Sequence, residues 1–397
     1  MCTLRLRFVF GLPVVLAVTL AFAPRVGAQD KTIKIASQSP LSGGQAALGE
    51  GIKLGVQLAV EKLKGNLEKQ GYKVVLVPFD DQAKPDVGVA NAKNIIADPQ
   101  IIGVIGHLNS GVAIPSSEVY KDVSLAMISP ANTNPTVTDR GYKNIYRVCG
   151  RDDVQGVVAS EFVHGTLKAK SVYIVHDKTT YGQGVAEFFK ADAEKKGMKV
   201  LGFEGTEEKS NFDPIITPIK ARNPDLIYFG GIYEQGAPFF KAAREKGVKS
   251  KFLGPDGLDS SDLSKIGGKA IVGMYYTSVA GPVTVYPAAK QFADEFKKKF
   301  GKNPEPFAAQ AFDATAILIK AIEKAAQGGK APTREAVAEA VRGVKHEGVT
   351  GVVEFDGKGD PKKALYFVLQ VVSDDPQKWG ENKEVKRLSI AAPGPKA

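Results

Sequence analysis

The chain has 397 residues, of which 43% are hydrophobic and 24% charged, and its 53 Lys and Arg against 43 Asp and Glu give a formal net charge of +10. At about 100–200 residues per domain, this length predicts two domains, each large enough for its own hydrophobic core. The lysines are spread along the chain, with no basic arm and no interleaved aromatic residues, which favours a solvated surface and argues against nucleic-acid binding.

The N-terminus has the pattern of an export signal. An apolar run over residues 8–23 follows Arg5 and Arg7, and small residues at 26–28 suit a signal peptidase. The run is shorter than the ~20 apolar residues that span a bilayer, so a membrane anchor is the weaker interpretation. We predict a cleaved signal peptide over residues 1–28.

Signatures of catalysis and metal binding are missing from the sequence. Cys149 is the only cysteine after cleavage, so no intramolecular disulfide and no Cys-x-x-Cys pair can form. There is no Gly-x-Ser-x-Gly, His-Glu-x-x-His or Walker-type motif, and the four histidines lack metal-ligand spacing. Residues 356–360 resemble part of a calcium loop without its closing acid, so a hairpin turn is predicted there. We expect no metal, no cofactor and no enzymatic activity.

A repeated order of short apolar run, turn and amphipathic stretch predicts parallel βαβ units. The predicted strands form two series, Thr32–Ala36, Lys73–Phe79, Ile101–Ile105 and Leu125–Ile128, then Ser171–Val175, Lys199–Phe203, Leu226–Phe229 and Lys251–Leu253. Helices are predicted between them at Gly49–Leu63, Val87–Ala97, Val154–Leu167, Gly184–Lys196 and Glu234–Lys246. The two series indicate two similar α/β lobes.

The last third of the chain is too poor in elements for a third core. It predicts a strand at Gly273–Ser278, helices at Pro287–Phe300, Phe307–Gln327 and Arg334–Val341, and a hairpin-like end at Gly351–Gln370. These pieces are expected to complete the two lobes, with the chain crossing between them. The polar tail from about Val372 is expected to be loosely held.

Three loops that follow apolar runs carry the groups that an amino-acid zwitterion needs. They are residues 106–111, 129–133 and 254–257. Hydroxyl and free backbone N–H groups suit a carboxylate, and a lone Asp in a Pro/Gly turn suits an ammonium group. Because open α/β sheets bind ligands beyond the carboxyl ends of their strands, a cleft is expected to bring the three loops together. This predicts a binding protein that closes on its ligand.

The first two loops each allow two interpretations. Ser110 suits either the ligand carboxylate or the N-cap of a helix, and the two roles are compatible because a helix start is itself an anion site. Ala131 and Thr133 precede Asn134-Pro135, where proline keeps the chain extended. The Ala131 carbonyl then suits the ammonium and Thr133 the carboxylate, with a simple turn as the alternative.

Each of the remaining candidate residues also allows two interpretations when it is considered alone. Asp256 suits the ammonium, although Asp is also common in surface turns. Tyr181 and Phe307 each suit the wall of an apolar side-chain pocket or ordinary packing at a lobe edge.

Taken together, these segments resemble the leucine/isoleucine/valine-binding proteins, the periplasmic solute-binding components of branched-chain amino-acid ABC transporters. The matching segments run in order over most of residues 29–371: Ile35–Gly44, Phe79–Asp81, Ile105–Ser110, Ile128–Pro135, Val175–Gly182, Tyr228–Gly231, Phe252–Gly257 and Gly351–Gly359. The resemblance implies a type I periplasmic binding protein, with two Rossmann-like lobes joined by three crossing segments. It places lobe 1 at 29–147 plus 279–357 and lobe 2 at 148–278 plus 358–397.

The resemblance also implies roles for single residues. Ser110 and Thr133 match residues that hold the ligand carboxylate, Ala131 and Thr133 match ammonium contacts, and Asp256 matches the acidic ammonium partner. Walls of the side-chain pocket fall on Leu108, Tyr181 and Phe307, and Asn132, in the same loop as Thr133, is a further predicted ligand contact.

The chain departs from the family pattern at four places. Asp256 is one methylene shorter than the usual Glu. Asn109 replaces a pocket cysteine whose disulfide partner falls on Ala83, so both cysteines are absent together. Aromatic wall residues are usual where Leu48 and Ile232 stand, although Tyr233 is adjacent. The amino-acid end of the site therefore matches the family, while the side-chain end is altered.

These observations predict a periplasmic, monomeric protein that binds an apolar L-α-amino acid of the leucine/isoleucine/valine class and delivers it to an ABC transporter permease. One alternative is the same fold with a polar amino acid, an amide or an aromatic carboxylate as ligand. Another is a ligand-sensing module that signals to a receptor.

Overall fold

The computed structural model describes residues 1–4 and 31–393. The predicted signal peptide falls almost wholly on residues 5–30, outside the described part of the chain. No helix of the described part is both long enough and apolar enough to cross a membrane.

The first sheet has five strands in the order β2-β1-β3-β4-β5, and all its pairs are parallel. Its strands are β1 (Thr32–Ser39), β2 (Lys73–Asp80), β3 (Ile101–Gly106), β4 (Ala126–Ser129) and β5 (Ile145–Arg147). The helices between them are α1 (Ala46–Leu63), α2 (Gly65–Lys69), α3 (Pro85–Ala97), α4 (Ser110–Lys121) and α5 (Thr136–Asp139). Strand β3 is buried along its whole length, which explains its unbroken run of apolar residues and glycine.

The second sheet has seven strands in the order β14-β13-β10-β9-β8-β6-β7. The remaining strands in chain order are β6 (Ser171–His176), β7 (Lys199–Gly205), β8 (Leu226–Gly230), β9 (Lys251–Gly254), β10 (Tyr275–Ser278), β11 (Lys345–Gly348), β12 (Gly351–Glu354), β13 (Lys363–Gln370) and β14 (Lys383–Ala391). Strands β6 to β10 are parallel, whereas β13 and β14 join antiparallel at one edge. Strands β11 and β12 form a separate hairpin.

The later helices divide between the two sheets. They are α6 (Asp152–Gly165), α7 (Thr180–Lys195), α8 (Asp213–Arg222), α9 (Tyr233–Glu245), α10 (Ser261–Gly267), α11 (Ala289–Phe300), α12 (Ala308–Ala325) and α13 (Arg334–Arg342), with short 3-10 helices at Asp256–Leu258, Gly268–Ile271, Val283–Val285, Gln327–Gly329 and Pro376–Glu381. Helix α12 packs on α1 so closely that a Cβ on Gly55 would lie 2.2 Å from the Ala308 carbonyl oxygen. Helices α12 and α13 also contact β3 and β4, so the last third returns to the first sheet, as predicted.

The eight predicted strands and five predicted inter-strand helices are confirmed to within a few residues. Strand β5 and helix α4 were not predicted. The expectation of a loosely held tail is wrong, because β14 pairs with the whole length of β13 and Trp379 is buried against Tyr276. Strand β14 lies at a sheet edge with mostly exposed residues, so its polar sequence does not prevent pairing. The fold class is confirmed, and the lobe boundaries stay a prediction.

Candidate functional site

Two loops at the carboxyl ends of β3 and β4 are tied together by one side chain, that of Asn132. Its Oδ1 accepts hydrogen bonds from the His107 N–H at 2.9 Å and the Ser129 hydroxyl at 2.7 Å. Its Nδ2 donates to the Leu108 carbonyl at 2.9 Å. Asn132, predicted as a ligand contact, therefore holds the two loops in register.

Ser110 is the first residue of α4 and lies buried beneath the second loop. Its Oγ accepts a hydrogen bond from the Asn134 N–H at 3.3 Å. The amides of Val112 and Ala113 already bond to the Asn109 carbonyl, both at 3.0 Å. The first N–H groups of a helix, which here precede Val112, have no partner within the helix. This buried helix start therefore offers positive potential and N–H donors to an anion.

Thr133 is fully buried, and its carbonyl accepts the Asp152 N–H at 2.9 Å, which joins the loop to the start of α6. Arg147 supports the loop from below, because its Nη1 donates to the carbonyls of Asn132 at 2.8 Å and Asn134 at 3.0 Å. Among the described residues the Thr133 hydroxyl has no hydrogen bond of good geometry, and the Asp152 carboxyl group lies beside it.

Asp256 faces this loop from the second sheet. It opens the 3-10 helix that follows β9 and is buried. Its Oδ1 accepts the Tyr181 hydroxyl proton at 2.8 Å, and the Tyr181 oxygen in turn accepts the Gly257 N–H at 2.7 Å. Tyr181, predicted as a pocket wall, therefore also orients the Asp256 carboxylate.

A second acid, Asp152, lies beside Asp256. Burial raises the pKa of Asp256 to about 6, an effect that the Tyr181 hydroxyl and the Gln155 amide partly offset. Burial, followed by the charge of Asp256, raises the pKa of Asp152 well above its ordinary value. Among residues 31–393, the two carboxylate oxygens of Asp152 and the two side-chain amide atoms of Gln155 all lack a hydrogen bond of good geometry. Two buried carboxyl groups with spare hydrogen-bonding capacity suit a cationic group.

The residues predicted to line the side-chain pocket are buried or half-buried. Asn109 is half-buried and donates from Nδ2 to the Gln45 Oε1 at 2.7 Å. The others belong to the main hydrophobic core, as does the predicted ammonium contact Ala131; they are Leu48, Leu108, Ile232, Tyr233 and Phe307. Their place as walls of a ligand pocket stays a prediction.

Hydrogen bonds between elements that pack around the first sheet and elements that pack around the second surround the candidate site. Asn134 Nδ2 donates to the Thr180 carbonyl at 3.0 Å, and Gln45 Nε2 reaches Glu234 at 3.4 Å. On a third side, Glu305 accepts hydrogen bonds from the Ser261 N–H at 3.2 Å, the Ser260 hydroxyl at 3.4 Å and the Ser261 hydroxyl. We call this group the Glu305 clasp.

The Glu305 clasp joins α1 to α10, which the predicted lobe boundaries assign to different lobes. Glu305 packs on α1, since a Cβ on Gly51 would lie 3.0 Å from its own Cβ, whereas Ser261 is the first residue of α10. A cavity of about 700 Å³ lies beside the clasp, and its lining includes Ser261, Val283, Glu305, Pro306 and Trp379.

Similarity to known proteins agrees with this architecture. The family model described as "Periplasmic binding protein" matches residues 32–376. The chain belongs to the periplasmic binding protein family. It is 34% identical over 342 residues to the "Leu/Ile/Val-binding protein homolog 2" of Brucella abortus, covering 85% of this chain and 90% of that protein. The resemblance to the leucine/isoleucine/valine-binding proteins is thereby confirmed.

Solved structures of this family superpose well. The leucine-binding protein of Thermotoga maritima has a TM-score of 0.81 and 29% identity, covering 90% of this chain and 98% of that one. A solute-binding protein of an ABC transporter from R. palustris, solved with benzoate, has a TM-score of 0.80 at 19% identity, covering 91% and 98%. As a family member, the chain is a solute-binding protein of the kind that serves transporters, which implies a location outside the cytoplasm and a transporter partner.

This periplasmic binding protein shows other buried polar groups near the site that support its loops. His107 Nδ1 lies 3.5 Å from Asp81, and both side chains are buried behind the first loop. The Cys149 thiol donates to the Asn132 carbonyl at 3.5 Å, and burial raises its pKa. Within residues 31–393, no group of three or more His, Cys, Asp or Glu side chains could hold a metal ion.

Sequence reasoning missed Asp152 and Gln155. Acidic residues are common in the first turn of a helix because they complement its dipole, so Asp152 at the start of α6 gave no distinct signal.

Proposed function

We propose that this protein is the periplasmic solute-binding component of an ABC transporter and captures an apolar L-α-amino acid of the leucine/isoleucine/valine class. The observation that carries the proposal is the arrangement of two complementary ends. A hydroxyl-rich helix start lies on one lobe, and buried carboxyl groups lie opposite it on the other.

The carboxylate of the amino acid would bind at Ser110 and Thr133. The start of α4 supplies N–H groups and the positive end of the helix dipole, and the Thr133 hydroxyl is the adjacent donor. The Ala131 carbonyl on the same loop would accept from the ammonium group. One lobe thus holds both ends of the zwitterion before the lobes close.

The ammonium group would meet Asp256, held in place by Tyr181. A buried carboxylate that gains a cation recovers by charge-assisted hydrogen bonding part of what desolvation costs. Closure would bring this acid over the docked amino acid, and the contacts through Asn134, Gln45 and Glu305 would hold the closed form that a permease recognises. A monomer suffices for this cycle.

A second candidate ligand is a polar amino acid, an amide or an aromatic carboxylate. The Asn109–Gln45 hydrogen bond favours it, because it makes one side of the site polar, and the R. palustris protein of the same fold was solved with benzoate. Against an amine-free carboxylate stands Asp256, whose buried carboxylate would repel it.

The test is isothermal titration of ligand-stripped protein lacking residues 1–28 with leucine, isoleucine, valine, polar amino acids and benzoate. We expect one leucine-class ligand per chain at micromolar affinity or better. The variant Asp256→Asn should weaken leucine binding by about 2–5 kcal/mol, the cost of leaving a buried charge unpaired. Asp213→Asn, which changes an exposed acid paired with Lys246, is the matched control.

Each other outcome rejects a defined part of the proposal. Heat from benzoate alone, unchanged in Asp256→Asn, would keep the fold and reject an amino acid as ligand. Leucine binding that survives Asp256→Asn would remove Asp256 from the ammonium site.

A further inference from the structure

Asp152 is costly to keep charged. Its side chain is fully buried at the start of α6, and neither carboxylate oxygen has a hydrogen bond of good geometry among residues 31–393. The Thr133 hydroxyl lies beside it and offsets only part of the effect of burial on the pKa of Asp152. A carboxylate in this position loses hydration without replacement, whereas a carboxylic acid can use its own proton as a donor.

The charged groups that face Asp152 are two acids and one cation. The acids are Asp256 after β9 and Asp153 in α6, which pairs with Arg151 at 2.8 Å, and the cation is Arg147. Tyr181 in α7, Tyr228 in β8 and Cys149 also face it and are neutral, because burial raises their pKa values. Arg147, the cation among them, is already committed to Asp360, where its Nε donates at 2.6 Å, and to two carbonyls. A single ligand ammonium can neutralise one of the two site carboxylates, so the other remains uncompensated.

We propose that Asp152 is protonated when the lobes close on the ligand, so that Asp256 alone is the ionised partner of the amine and capture takes up one proton from solvent. This inference rests on the proposed function. In the open form the carboxyl group is hydrated and ionised near neutral pH. In the closed form it is a neutral acid whose O–H donates to Thr133 or to Asp256, and no bond to the ligand is made or broken.

The direction of the pH dependence follows from burial. Because closure raises the pKa of Asp152, the closed form binds the proton more tightly than the open form. Affinity therefore strengthens as pH falls between the two pKa values, by about tenfold per pH unit. At pH above the closed-state pKa the dependence disappears, since both forms are then ionised.

The first experiment is titration of the wild-type protein with leucine in phosphate and in Tris at the same near-neutral pH. Because the two buffers differ in ionisation enthalpy, the difference in heat counts the protons exchanged. We expect uptake approaching one proton per ligand. The variant Asp152→Asn should bind leucine within about threefold of wild type, with no uptake and a flat pH profile. Asp153→Asn removes the neighbouring acid and should keep the uptake.

Two results would overturn the inference. One is zero proton uptake by the wild type across the pH range. The other is a loss of affinity in Asp152→Asn as large as that in Asp256→Asn, which would make Asp152 a second ionised amine partner. Stronger binding of a diamine than of leucine by the wild type would confirm that reversed assignment.

The same titrations separate this inference from the proposed function. Leucine binding without proton uptake would reject the protonated acid and leave the proposed function standing, whereas no heat with any amino acid would reject the proposed function itself. Thermal unfolding gives a second readout: the stabilisation of the wild type by saturating leucine should shrink as pH rises toward the closed-state pKa of Asp152, because affinity falls there, and should stay constant in Asp152→Asn.

Discussion

Arg147 shows how much one buried residue can do for a binding loop. It pairs with Asp360 and also donates to the carbonyls of Asn132 and Asn134, on either side of Thr133. Asp360 bonds in addition to Arg151 at 2.7 Å and Thr138 at 2.7 Å. Burial alone would raise the pKa of Asp360, but Arg147 and Arg151 hold it below the ordinary value. The turn around residues 356–360 is thus a structural anchor.

Removing the Arg147 charge should therefore cost both stability and affinity. We expect Arg147→Met to lower the free energy of unfolding by about 3–5 kcal/mol, because Asp360 loses a buried partner. Urea denaturation followed by circular dichroism measures the change. The same variant should bind leucine more weakly, because the Thr133 loop loses its support. Arg222→Met, at a more exposed arginine, serves as the control, and equal stability of the two variants would contradict this role for Arg147.

Sequence predicts single residues only where local chemistry is distinctive. Asp256 stands in a Gly-Pro-Asp-Gly turn, so it could be found, and the structure buries it beside Tyr181. Asp152 could not be found, since its burial depends on the way two lobes meet. Asn132 was predicted as a ligand contact from its place in the loop, and the structure shows that its side chain bonds the neighbouring loop.

At the scale of elements, the pattern of apolar residues predicted the buried strands correctly. It missed an element that contains proline, one that is very short and one at a sheet edge. Helix α4 contains Pro115 and several serines, which mask its helical pattern. Strand β5 has only three residues, too few for a pattern. Strand β14 alternates weakly at a solvated edge, and its position depends on pairing with β13, a contact that no local window contains.

The tail is tested through its anchor, Trp379. Its Nε1 donates to Asp259 at 2.8 Å, and its ring stacks on Tyr276 with centroids 5.3 Å apart. We expect Trp379→Ala to destabilise the protein by about 3–5 kcal/mol, as for other large buried aromatics. Urea unfolding followed by circular dichroism measures this, with the adjacent Lys378→Ala as control. If Trp379→Ala is as stable as the wild type, Trp379 does not anchor the tail.

At the scale of the whole molecule, contacts between distant segments are the ones that could respond to ligand. The two sheets were predictable because each βαβ unit is local, whereas the Glu305 clasp joins residues 44 positions apart. Burial raises the pKa of Glu305, although its bonds to Ser261 offset part of the rise. In the proposed cycle, the clasp would form only when the lobes close.

The clasp should therefore control ligand release. We expect Glu305→Ala to weaken leucine binding by about 1.5 kcal/mol, or about tenfold, because hydrogen bonds to a charged group are lost only in the closed form. Stopped-flow kinetics should place this change in the dissociation rate, with association unchanged. Glu50→Ala, which removes an exposed partner of Lys302, provides the comparison. A slower association in Glu305→Ala would contradict a role confined to the closed form.

Trp379 has one further consequence, an optical one. It is the single tryptophan of the chain, and its indole lines the cavity beside Glu305 and Ser261. Indole emission depends on local polarity and water access, so a change at the Glu305 clasp should alter its wavelength and intensity. The protein thus contains a built-in fluorophore with which the proposed lobe closure can be followed in real time, without attaching a dye.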